Sequence, residues 1–213
     1  MVPKIGYLIP TREAIMEGHH EAGPLLRLAE MAEDLEFDSV WIGDSLLARP
    51  RHEPITWLSA VAGRTKKIEL GTAVILPALR NPVLLANQIA TLDQASEGRV
   101  ILGVGIATDL PNIRAEFQSA GVPFEDRVGR MLEGLRLCRA LWSGNPVDWD
   151  GRWKVEQGIL GPVPVQKNGL LYGVVDRSQL LLSVPLGTTK VGFQRVLVIR
   201  RFGASNGVKC KLT

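Results

Sequence analysis

The chain has 213 residues, 46% hydrophobic and 22% charged, an ordinary balance for a globular domain with one sizeable core. No apolar run reaches the ~18 residues needed to cross a bilayer, and the Met-Val-Pro-Lys start lacks the apolar segment and cleavage site of a secretory leader, so a cytoplasmic protein with no membrane partner is expected. The net charge of +3 is uneven: from Leu170 onward one acidic residue, Asp176, faces seven basic ones, giving that segment +6 and leaving −3 to residues 1–169.

In chain order, Lys4–Ile9 reads as a short buried strand. Pro24 opens a helix in which Leu25, Leu28, Ala29, Ala32 and Leu35 keep helical spacing. Asp38–Gly43 is a second strand, and Pro54–Arg64 a second helix with Ile55, Leu58, Val61 and Ala62 inward. Ile68–Leu76 is a third strand and Pro82–Ala95 a third helix, closed by the turn Ser96-Glu97-Gly98. Val100–Val104 is a fourth strand. Arg127–Trp142 is a long helix whose stripe runs Val128, Met131, Leu132, Leu135, Leu137, Cys138 and Leu141. Cys138 therefore reads as a buried thiol. It and Cys210 belong to no CxxC pair, which excludes a disulfide framework or zinc spacing.

Four strand–helix alternations imply parallel strands with helical crossovers, and strands this apolar are buried on both faces. An open doubly wound sheet and a closed barrel share that signature. A dinucleotide fold would favour GxGxxG after the first strand, where this chain has Pro10-Thr11-Arg12. Gly103 and Gly105 begin no such fingerprint and read as glycines that let backbone pass close to something flat. His19, His20 and His52 fall in loops with no cysteine or carboxylate at ligand spacing, so no metal is expected. Trp41 and Trp57 read as packing residues.

The stretch NPVLLANQIATLDQASEGRVILGVGIA over residues 81–107 resembles the signature of the luciferase-like monooxygenases and their deazaflavin-dependent relatives. These commonly carry an A-x-Q-x-A-T-L-D helix, an S-x-G-R turn and an L-G-V-G strand. DSVWIGD at 38–44, LGTAV at 70–74, the segment 127–153 and LGPVPVQKNG at 160–169 extend the resemblance over residues 3–169. It implies a (β/α)8 barrel of the TIM type, here incomplete at four to five βα units with an irregular tail. It also implies FMN or a deazaflavin coenzyme of the F420 type at the C-terminal mouth of the strands, a small-molecule substrate, and admits a homodimer. In such relatives the third strand ends in a non-proline cis peptide packed behind the flavin ring, and the matching pair is Ala73-Val74. Asp44 resembles the acidic residue facing the ring. Its neighbour there is often histidine, and Ser45 in that place has no titration near neutral pH, which argues against a sugar-phosphate dehydrogenase. Ile106, Ala107 and Thr108 match the loop beside the ring, and Thr72 could hydrogen-bond near it. No residue is assigned as catalytic.

The resemblance stops at Gly169. The family continues with a Pro-Pro pair, an aromatic residue and glycines, whereas this chain reads LLYGVVDRSQLLLSVP. Moving the frame back one nucleotide allows the same DNA to encode Pro-Pro-Val-Trp-Gly-Gly-Gly-Ser in place of residues 170–177 and Pro-Ala-Ala-Ala-Gln-Arg-Ala in place of residues 179–185. The reading is therefore two segments: residues 1–169 as the barrel portion and 170–213 as an out-of-frame tail. Its positive charge is then no sign of a nucleic-acid partner, and strands at Leu170–Val175 and Val196–Ile199 are expected to pack poorly. The expected function is a flavin- or deazaflavin-dependent oxidoreductase, moving hydride or activating oxygen and impaired by truncation. The alternative is a non-catalytic shortened barrel that binds flavin or dimerises.

Overall fold

A computed structural model describes residues 4–166, 170–176, 179–182 and 196–199; the break at Gly169 and Cys210 lie outside them. Its elements are β1 (Lys4–Leu8), α1 (Thr11–Met16), α2 (Ala22–Asp34), β2 (Ser39–Ile42), α3 (Pro54–Ala62), β3 (Glu69–Thr72), α4 (Pro82–Ala95), β4 (Val100–Val104), α5 (Pro111–Ser119), α6 (Arg127–Leu141), β5 (Val147–Asp150), β6 (Lys154–Gly158), β7 (Leu171–Asp176), β8 (Gln179–Leu182) and β9 (Val196–Ile199).

Proline stands in the first turn of α3, α4 and α5, where its missing N–H has no helical acceptor to satisfy. Side chains complete two of these starts: Glu53 accepts from Thr56 N at 2.7 Å and Asn81 from Val83 N at 2.9 Å. Between the helices the strands join in parallel, with Leu8 beside Trp41, Trp41 beside Gly71 and Leu70 beside Val100. The order is β8-β7-β4-β3-β2-β1-β9, with β7 parallel to β4, β9 parallel to β1, and β8 antiparallel to β7. The described strands thus form four βα units of a barrel plus β9 beyond one edge and the β7–β8 pair beyond the other, the incomplete α/β barrel expected. The tail strands lie at 171–176 and 196–199, within a residue of where the apolar runs placed them. β5 and β6 form a separate antiparallel hairpin.

One continuous core lies between sheet and helices. It takes Leu25, Ala29 and Ala32 from α2, Ile55, Leu58 and Val61 from α3, Leu85, Ala86 and Ile89 from α4, and Met131, Leu135, Cys138 and Leu141 from α6. Two stripe members are corrected. Leu35 caps the end of α2 and Val128 lies in the first turn of α6, and both side chains are exposed. The Cys138 thiol is buried with its Sγ 3.2 Å from Pro82 O, and burial pushes its pKa up to about 12, so it is inert. No helix among the described residues is long and apolar enough to cross a membrane.

Three long-range side-chain ties hold the crossovers. Arg99, from the S-x-G-R turn, donates to the carbonyls of Ala62, Thr65, Ile68 and Ser96 and to Thr65 Oγ1. Asp93, fully buried in α4, accepts from the amides of Val165 and Gln166 and from Gln166 Nε2. Glu33, in the last turn of α2, accepts from the amides of Lys66, Lys67 and Ile68. Burial pushes the Glu33 carboxyl up, but those three amides together outweigh it and hold it below its ordinary value. Its contribution is therefore complete above the ordinary carboxylate range and is lost as pH falls through the depressed folded value. Glu33→Gln is expected to cost about 1 kcal/mol at neutral pH and progressively less under acid conditions, as read by denaturation at pH 7 and pH 3.5; an equal cost at both pH values would contradict this reading.

Candidate functional site

Strand β3 stops at Thr72, and the Ala73-Val74 peptide just beyond it is cis, at the pair the sequence indicated. The chain then returns to β4: Ile75 N donates to Gly103 O at 2.8 Å and Gly105 N to Ile75 O at 2.9 Å. The two glycines of β4 and its exit are required by this detour. A Cβ on Gly103 would stand 2.1 Å from Thr72 O, and one on Gly105 would stand 2.4 Å from Val74 Cγ2. What passes close to them is the neighbouring β3 segment itself.

Over this floor lies a cavity of about 220 Å³ at the C-terminal ends of β1 to β4. Of the residues singled out in the sequence, Asp44, Ala73, Val74, Ala107 and Thr108 line it. Ala107 adopts a φ of 64°, which turns the loop after β4 across the cavity. Thr72 stands behind it: the side chain is 1% exposed and its hydroxyl donates to Gly103 O at 2.8 Å. Ile106 is 37% exposed and lies outside the lining.

Two carboxylates of the cavity, Asp44 and Glu116, are engaged. Asp44, with a side chain 1% exposed, accepts from Leu76 N at 2.9 Å and from both terminal nitrogens of Arg80. Burial alone would lower the Arg80 pKa, but the charge and hydrogen bonds of Asp44, with help from Glu53, raise it above the ordinary value. The pair therefore clamps the exit of β2 to the segment after β3. Ser45 donates to Glu116 Oε1 at 2.7 Å and accepts from Arg49 N at 2.9 Å.

Glu116, on α5, was not singled out by the sequence. Its Oε1 also accepts from the amides of Leu46, Leu47 and Ala48 at 2.5, 2.7 and 3.1 Å. The signal was present: Pro111 as a helix opener, and Ile113 and Phe117 four apart on the buried face with Glu116 beside them. Arg12, Arg49 and Arg51 also line the cavity. His19 and His20 are exposed, His52 Nε2 lies 3.2 Å from His20 O, and among the described residues no cluster of His, Cys, Asp and Glu could hold a metal.

The family profile for luciferase-like monooxygenases matches residues 3–177. The chain belongs to that family. Among curated family relatives, an F420-dependent glucose-6-phosphate dehydrogenase of Nocardia farcinica is 37% identical over 135 residues, covering 61% of this chain and 40% of its own length. Among solved family structures, a monooxygenase from Streptomyces bottropensis is 30% identical with a TM-score of 0.71, covering 80% of this chain and 53% of that one. An F420-dependent secondary alcohol dehydrogenase, solved with an F420-acetone adduct, is 25% identical with a TM-score of 0.67, covering 82% and 52%. The chain thus spans about half the length of the family members it matches.

Proposed function

We propose that this chain is the ring-facing half of a flavin- or deazaflavin-dependent oxidoreductase of the cytoplasm, acting on a small molecule. The observation that carries the reading is the single cavity in which Asp44, the cis pair Ala73-Val74, Ala107 and Thr108 meet. Its floor is backbone and small side chains, which suits the face of a planar ring, and it sits where barrels keep their chemistry. FMN or F420, when bound, supplies the hydride- or electron-carrying ring. Toward it, Ala73-Val74 would back the ring and Ala107 and Thr108 would border it, while the Asp44–Arg80 pair fixes the distance between the loops after β2 and β3. Ser45, held by Glu116, moves no proton. This reading is closer to a monooxygenase or simple dehydrogenase than to chemistry that needs an imidazole next to the acidic residue.

We also propose that residues 170–213 are out of frame, so that this segment does not supply the loops that commonly grip the cofactor phosphate, after strands seven and eight of a barrel. Two flavin titrations test both statements. A protein encoded after adding one nucleotide between codons 169 and 170 is expected to bind FMN or F420 with sub-micromolar Kd. This chain is expected to bind at least about 100-fold more weakly, the loss of two charge-assisted phosphate contacts. Sub-micromolar binding by this chain overturns the impairment, and no binding by either protein overturns the ring reading.

A further inference from the structure

Three arginines of the cavity have no part in the ring site as described. Arg12 enters from α1, after β1, while Arg49 and Arg51 come from the loop after β2. Among the described residues none of the three forms an ion pair with a carboxylate. Arg12 Nε is buried with no hydrogen-bond partner, and the one side-chain hydrogen bond of Arg51 runs from Nε to Arg49 O at 3.2 Å. Arg51 packs against the exit of β2: a Cβ on Gly43 would stand 2.1 Å from its Nη1.

The acidic residues of the same cavity form no ion pair with them. Asp44 is committed to Arg80 and Leu76 N, and Glu116 to Ser45 and three amides. Glu13, the third, is exposed, and it and Asp44 act on Arg51 only through space. Burial first, and then the charge of Arg12, hold Arg51 below its ordinary pKa. Cations brought together in a half-buried pocket whose carboxylates are engaged elsewhere or act only at a distance cost stability, and guanidinium forks match planar or tetrahedral oxyanions.

We propose that Arg12, Arg49 and Arg51 form a subsite that holds a carboxylate or phosphate group of the substrate beside the ring floor of Ala73-Val74. The substrate class is then a small organic anion. This rests on the ring reading for what lies next to the anion. The substrate rather than the cofactor supplies it because the cofactor phosphate of a barrel commonly sits after strands seven and eight, away from the loops that follow β1 and β2.

The test is calorimetric titration of this chain, at low ionic strength, with inorganic phosphate and with benzoate. Saturable one-site binding of at least one probe is expected, with Arg51→Met weakening it at least about tenfold, as for one charge-assisted hydrogen bond. Gly43→Ala, which keeps every charge but displaces the Arg51 guanidinium, is expected to weaken it similarly. Without added anion, Arg51→Met should melt at the same temperature as the parent or higher, because an unpartnered cation has been removed. Absence of saturable binding of both probes overturns the proposal, and so does an Arg51→Met variant that melts several degrees lower, which makes the guanidinium a structural brace. Displacement of phosphate by FMN but not by riboflavin assigns the subsite to the cofactor and overturns the substrate assignment. If phosphate binds as expected while flavin binding fails in both titrations described above, the ring reading falls and the anion site stands.

Discussion

Gly103→Ala is expected to destabilise the protein by at least about 3 kcal/mol, the upper end of ordinary overpacking, and to abolish any flavin binding the parent retains. The new methyl would stand 2.1 Å from Thr72 O and 3.3 Å from Thr72 C. Both are backbone atoms, so no side-chain rotation relieves the clash, and β3 and β4 must separate. That separation breaks the Thr72 hydroxyl bond to Gly103 O and the Ile75 amide bond to the same oxygen. The floor of the cavity is the segment between those two bonds, so stability and site are lost together. Gly105→Ala is the informative contrast. Its methyl would meet the side chain of Val74, not backbone, and Val74→Ala should relieve it, whereas no side-chain truncation rescues Gly103→Ala. Denaturant unfolding of the three variants checks this, and a Gly103→Ala cost below 1 kcal/mol would show that β3 and β4 are not held as described.

Period and punctuation made most of the scaffold readable. Prolines 54 and 82, followed by apolar residues at helical spacing, placed α3 and α4 at the observed starts, and continuous apolar runs placed β1 to β4. What was missed was short. α1 has six residues and α5 nine, and α5 presents only Ile113 and Phe117 with one buried carboxylate to the core, too few to form a stripe. The β3 strand was read four residues too long because Ala73-Val74-Ile75-Leu76 is as apolar as what precedes it; no periodicity distinguishes a strand from a bulge with the same composition. The cis pair and the ring loop could be named only through the family resemblance. The arginine corner depends on side chains 37 and 39 positions apart meeting at one mouth, as Arg12 does with Arg49 and Arg51, and parallel topology brings such positions together without leaving a local pattern.

Glu116→Ala is expected to cost about 3 kcal/mol and to unlock the loop that carries the arginines. In the parent one oxygen gathers the Ser45 hydroxyl and three successive amides from residues 68 to 71 positions earlier. A carboxylate is suited to this because its charge is shared among donors that would otherwise have to find water. Removing it leaves four donors unsatisfied at a cost of about 1–3 kcal/mol for each that stays buried; Leu46 and Leu47 are exposed enough for their amides to rehydrate, which keeps the total near the lower end. Glu116→Gln preserves shape and one acceptor oxygen but no charge, and should cost about 1 kcal/mol. Hydrogen exchange separates this from a general loss of packing. The amides of Leu46, Leu47 and Ala48 should exchange at least tenfold faster in Glu116→Ala, while those of β4 keep their protection in proportion to the global stability. Because Asp44 is held independently by Arg80 and Leu76 N, the ring floor should survive this variant even as the Arg49–Arg51 segment loosens, so phosphate affinity should fall before flavin affinity does. Unchanged exchange at residues 46–48 would mean that the carboxylate does not organise the loop, and the arginine subsite would then need another anchor.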